Sequence, residues 1–234
     1  MVSVDNVYQK VLALANKEQR GYITPQEFNL FADQAQMEIF EQYFYDVEQF
    51  ERRVGDDTAE LTKRKIELFK SNTFIIGNIS GSYAPLPTDT YLVESAFLNR
   101  ENGKQVTAEK MDRDSQHNIH AAISASPLLN PNESRPIYWI KENGIKFVPN
   151  TGDYGINYIK TPKKPNWTYV INPTNQSALY NPNAENQQDF ELHISEEPKL
   201  VIKILQLAGV NMKDYNLAQL AGQKEASVKQ QEKQ

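Results

Sequence analysis

Residues 137–149 read IYWIKENGIKFVP. Two runs of β-branched and aromatic residues flank Asn143-Gly144. Asn-Gly is the pair a tight hairpin turn prefers, because both central positions need positive φ. The stretch therefore predicts strand, turn, strand. Working outward, Tyr154 to Lys160 predicts another strand, stopped by Thr161 to Pro165. Upstream, Tyr91 to Leu98 has strand character, and Asn102-Gly103 is a second turn signal. Thr73 to Ile79 is a short apolar run, Ser80 to Pro87 is turn-rich, and Asp112 to Ser124 predicts a helix between the two turns. Residues 73–170 thus read as a small antiparallel β unit with one inserted helix.

The flanks have helical period. Ser3 or Asp5 can cap a first helix running to about Lys17, with Val7, Val11, Leu12 and Leu14 among its apolar residues. Thr24, Pro25 and Glu27 predict a helix start: an N-cap, a proline at the first position and the acid of a capping box. That second helix runs to about Arg53, a rod of about 40 Å. Its apolar face is wide, and the first helix is too short to cover it. Gly55, Asp56 and Asp57 break the chain before a third helix, Thr58 to Lys70. Residues 171–197 are rich in Asn, Pro and Gln and read as a loop or arm. Pro198 to Ala208 predicts an apolar helix. Asn211 can cap a final one to about residue 222, before a polar tail. The expected class is α+β. The segments are 1–72 (helical hairpin plus third helix), 73–170 (β unit), 171–197 (arm) and 198–234 (C-terminal helices and tail).

Composition narrows function. The 234 residues are 39% hydrophobic and 24% charged, which is globular. A net charge of -5 argues against a general nucleic-acid-binding surface. With no cysteine there is neither a disulfide framework nor a thiolate site. Nothing resembles a signal peptide or a membrane span, so the expected setting is cytoplasm, or an assembly built there. Twelve Tyr and ten Phe suit surfaces that pack on partners, although a core alone could use them.

Motifs for chemistry are weak. Residues 16–27, NKEQRGYITPQE, have the Gly and the closing Glu of an EF-hand loop. Yet Arg20 takes a ligand position, and arginine carries no acceptor. His117 and His120, with Asp114, share one face of a predicted helix but have no second ligand cluster nearby in sequence. His193 reads as a surface residue. Asp56-Asp57 and Glu196-Glu197 fit turn and first-turn preferences. KTPKKP, residues 160–165, reads as a solvated basic loop. No nucleophile elbow, Walker loop or dinucleotide fingerprint is present. No catalytic residue, cofactor or metal is expected.

Three stretches carry a resemblance. They are VYQKVLALANKEQRGYITPQEFNLFADQAQMEIFEQYF (7–44), LPTDTYLVESAFL (86–98) and RPIYWIKENGIKFVPNTGDYGINYIKTPKKP (135–165). Together they resemble the head-to-tail connector (adaptor or ring) proteins of short-tailed bacteriophages, and most of all the ring proteins of crAss-like phages. The resemblance implies a virion protein without enzymatic activity. It would form a homo-oligomeric ring, typically of twelve copies, docked on the portal and meeting a neighbouring tail ring protein. Double-stranded DNA would pass through its channel without sequence-specific binding, and no membrane would be involved. An acidic balance suits a wall along which DNA slides. Alternatives are another ring of the same tail, such as a hub or tube component, or a virion-associated hydrolase. Interface candidates are Phe40, Tyr43, Phe44 and Val47 on the long helix. Met212, Tyr215, Leu217 and Leu220 on the final helix complete the set, with the portal as leading partner.

Overall fold

A computed structural model describes residues 1–17, 23–51, 58–77, 83–100, 103–111, 130–141, 144–150 and 152–211. The chain divides into two units. One combines residues 1–68 with 162–234, and the other is formed by 69–161.

The first unit holds four helices among the described residues: α1 (Val4–Lys17), α2 (Pro25–Glu51), α3 (Thr58–Glu67) and α4 (Glu197–Asn211). The start of α2 follows the sequence pattern. The Thr24 backbone N–H donates to Glu27 Oε2 at 3.0 Å, and the Glu27 N–H donates back to Thr24 Oγ1 at 3.3 Å. Those bonds satisfy donors that a helix start leaves orphaned. Both Thr24 groups bond the ionised carboxylate, the backbone N–H having the larger effect, and hold Glu27 below its ordinary pKa. The wide apolar face of α2 is covered within the protomer: α2 packs against α3 and α4, and α4 also meets α1. Tyr8 of α1 lies 4.6 Å from the Phe28 ring and 4.3 Å from Trp167. Helix α4 runs through Gly209 and includes Asn211, so the helix expected to stop at Ala208 is a turn longer. The expected final helix and tail lie outside the described residues.

The second unit corrects the expected fold class. It is not a small antiparallel unit. A large seven-stranded sheet curls into a half-barrel, which makes the protein mixed α/β. Its strands are β1 (Lys70–Gly77), β2 (Ala84–Pro85), β3 (Thr90–Asn99), β4 (Gln105–Lys110), β5 (Ile137–Lys141), β6 (Gly144–Val148) and β7 (Gly152–Lys160), in the order β1-β7-β3-β4-β5-β6-β2. One pairing, β4 with β5, is parallel. The physical reason is non-local. β1 pairs with β7 over eight positions, from Lys70↔Ile159 to Gly77↔Gly152, so a run that looks minor locally becomes a full strand. The inserted helix expected at 112–124 lies outside the described residues. One face of the sheet buries Val93, Ala96, Leu98, Tyr138, Phe147, Tyr154 and Ile156. Phe147 and Tyr154 stack at 4.0 Å. Burial and the Glu133 charge push the Tyr154 hydroxyl up to about 12. It donates to the Pro149 carbonyl at 2.5 Å.

Candidate interaction surfaces

The Asn/Pro-rich segment is sewn to the helices at its roots. Gln36 is fully buried on α2. Its amide donates to the Lys163 carbonyl at 2.8 Å and accepts from the Glu191 N–H at 3.0 Å. The Lys163 N–H donates to the Glu191 carboxylate at 3.0 Å, which closes the clamp. Asn29 does the same for Trp167, accepting from its N–H at 2.8 Å and donating to its carbonyl at 3.2 Å. The buried Trp167 indole donates to Asp5 at 2.8 Å.

Between those roots a two-stranded ribbon emerges, β8 (Tyr169–Ile171) and β9 (Ala178–Tyr180). Its turn is built by asparagines. Asn172 Oδ1 accepts from the Thr174 N–H, Asn175 Oδ1 accepts from Ser177, and Gln176 sits at φ 54°. Such side-chain turns are why Asn concentrates here. Tyr169 and Tyr180, a cross-strand pair, each stack on Trp167 at 5.8 Å. That anchors one face. On the opposite face the paired Val170 and Leu179 are 55% and 53% exposed, and Ile171, which alternation puts on the Tyr169 face, is 60% exposed. Residues 166–184 contain no charged residue. Exposed strand edges are normally guarded by lysines or other charges, and this ribbon carries none. The sequence signal for it was that uncharged stretch, which reads as a loop because Asn and Pro dominate.

The sequence candidates fall in different places. Phe40 and Tyr43 are buried in the first unit, while Phe44 and Val47 are half-buried. Phe40 meets Phe44 edge-on at 5.1 Å, and the Lys65 ammonium sits 5.8 Å from the Tyr43 ring centre. Among the residues of α2 whose burial is described, Leu30 and Tyr45 are the exposed large apolar ones. Met212, Tyr215, Leu217 and Leu220 lie outside the described residues, as do His117, His120, Asp114 and the middle of the calcium-like loop. The acids read as first-turn residues are ion-paired: Glu196 with Lys65 and Glu197 with Lys10, both at 2.5 Å. Exposed His193 caps a short 3₁₀ turn, its Nδ1 accepting from the Ser195 N–H. In KTPKKP, Lys164 pairs with Asp33 at 3.4 Å.

The second unit has a pocket of about 440 Å³ lined by Leu86, Pro87, Thr88, Tyr91, Leu92 and Ile140. A shallower polar hollow lies over Lys70, Asn72 and Asn157, where Lys70 pairs with Glu94 at 3.2 Å and Asn157 donates to Ser95 at 3.0 Å. Neither brings a nucleophile together with a base. Among the described residues no group of three His, Cys, Asp or Glu could hold a metal, and no helix is long and apolar enough to cross a membrane.

Comparison with models of known protein families and with curated protein sequences finds no match.

Proposed function

We propose that the chain is a structural subunit of a phage head-to-tail connector: a homo-oligomeric ring that docks on the portal, meets the next tail ring and extends the DNA channel within the virion. The ribbon carries this reading. Val170, Ile171 and Leu179 stay more than half exposed on a ribbon that is rigidly rooted and free of charge. A rooted apolar ribbon is suited to reach a neighbouring copy and lie against it, strand edge or apolar face inward. The likeness of residues 7–44, 86–98 and 135–165 to connector proteins selects the kind of ring. A place elsewhere in the same tail fits the same ribbon and differs only in partner.

The test is native mass and negative-stain imaging of the purified protein, alone and with portal. A closed ring in either preparation, retained on the portal, is the expected result. A protein that stays monomeric at high concentration and also ignores the portal overturns the reading.

A further inference from the structure

We propose that Tyr83, Trp139, Lys141 and Lys146 form a binding site for the phosphate backbone of nucleic acid, on the outer face of the sheet.

The site is a product of register. Trp139 pairs with Lys146 across β5 and β6, and Lys141 pairs with Gly144. Continuing the β2–β6 register, in which Ala84 faces Ile145, sets Tyr83 beside Lys146. Tyr83, Lys146 and Trp139 therefore form a row across three strands. The Trp139 indole N–H donates to the Tyr83 hydroxyl at 3.1 Å, which locks the two rings together. Gly144 makes room: a Cβ there would lie 2.6 Å from Tyr83 Cβ.

Two ammonium groups converge on these rings. Lys146 Nζ lies 5.7 Å from the Trp139 ring centre and 5.8 Å from that of Tyr83. Lys141 Nζ lies 6.0 Å from the same Tyr83 ring. Ring quadrupoles hold a cation at this range. Both cations thus lie near one ring. Among the described residues neither lysine has a carboxylate in ion-pair range, whereas Lys10, Lys65, Lys70, Lys164 and Lys203 all do. Glu142, next in sequence, lies outside the described residues.

The ligand follows from this arrangement. Each ammonium can take one phosphate, so a polymer that repeats phosphates along its backbone can meet both where a small anion meets one. Compact ammonium groups bind phosphate as point charges. Lysine ammonium groups meet phosphate oxygens without reading base identity. Contact is therefore with the backbone, independent of sequence, and open to duplex DNA. Overall acidity does not stand against this. Residues 69–161 carry nine Lys and Arg and nine Asp and Glu, so the net -5 falls entirely on the other unit's 16 against 21.

The proposal stands on the cluster alone, and its failure leaves the ring reading untouched. Full-length protein is titrated with a 20-base-pair duplex while tryptophan emission is followed. Trp139 is half-exposed and reports, whereas Trp167 is buried. Two phosphate contacts per protomer give a log–log salt slope of about -1.8, a loss of about twelvefold between 50 and 200 mM salt. Lys141→Gln with Lys146→Gln should abolish the response while leaving the melt and native mass unchanged. The site is refuted if the double variant binds as wild type, or if wild type shows no binding at 50 mM salt. Equal quenching by inorganic phosphate, or by polyglutamate at matched charge, would also refute a nucleic-acid site.

Discussion

Replacing Val170 and Leu179 together by glutamate tests the ribbon as a contact between copies. Both side chains are slightly more than half exposed. Full burial of such a side chain is worth about 1.5–3 kcal/mol, so a neighbour that covers the exposed half of each gains about 1 kcal/mol per residue. The double variant forfeits about 2 kcal/mol per interface before any cost of desolvating two carboxylates. That is at least about thirtyfold in association, since about 1.4 kcal/mol is tenfold. In the isolated protomer the same changes sit on the open face, where substitutions usually stay within about 0.5 kcal/mol. Tyr169 and Tyr180, which anchor the ribbon on Trp167, are untouched. Sedimentation velocity over a concentration series reads the shift, with portal added if assembly needs it, and a circular dichroism melt checks the fold. Assembly at wild-type concentrations by a variant with a wild-type melt would refute the reasoning.

Gln36→Leu leaves the Lys163 carbonyl and the Glu191 N–H without their partner. At about 1–3 kcal/mol each, partly offset by leucine burial, the net cost is about 2 kcal/mol, or about 4–8 °C in melting temperature; an unchanged melt would mean the clamp is idle. Thr24→Ala removes the capping box of α2 and should cost about 1 kcal/mol at neutral pH. Because the folded pKa of Glu27 is lowered, the wild-type advantage is fully present above about 4.5 and shrinks as pH falls below it; urea melts of both proteins at pH 7 and pH 3 check the sign. Gly155→Ala drives a Cβ into the Phe97 ring and should destabilise the sheet, with Phe97→Ala relieving most of the added strain; if the second change only adds to the first, the clash is not the cause. Tyr154, pushed up to about 12, stays neutral in the fold while an unfolded tyrosine ionises near 10. Its contribution is complete below pH 10 and is lost as pH rises towards 12, so Tyr154→Phe should flatten that part of an alkaline melt series.

The helices were legible because their signals are local. The capping residues of α2 sit within a few residues of the helix start they control. Strands with an alternating or β-branched pattern were legible for the same reason, and 137–149 folds as the β5–β6 pair. β1 was not, since its first residue reads as the tail of a helix and its pairing strand lies some 80 residues on. Nor was β4: QVTAEK offers only Val106 and Ala108 as apolar residues and gains its strand from pairing with β3 and β5. The ribbon was hidden by composition, because Asn serves its turn and Trp167 serves its anchor, and neither resembles a strand. The Tyr83–Trp139–Lys141–Lys146 cluster spans three strands, so no window of sequence contains it.

Burial decides which variants can report on assembly. Phe40 is fully buried and Tyr43 is 3% exposed, each inside its own protomer. Truncating either to alanine costs about 3–5 kcal/mol of folding, a large part of the total stability of a domain. A protein so weakened fails to assemble whatever that face does, and the failure would say nothing about contacts between copies. Phe44 and Val47 are half-buried, so their loss mixes the two effects. Val170 and Leu179 separate them: each is exposed in the protomer, on strands whose order comes from the opposite face. If the α2 face also meets a neighbour, Tyr45→Glu is the cleaner probe there, since Tyr45 is 59% exposed on the same helix. A ring that survives Tyr45→Glu but not the ribbon double variant would assign the subunit contact to residues 169–180. The reverse result would return it to α2 and leave the ribbon to face the portal or the next ring.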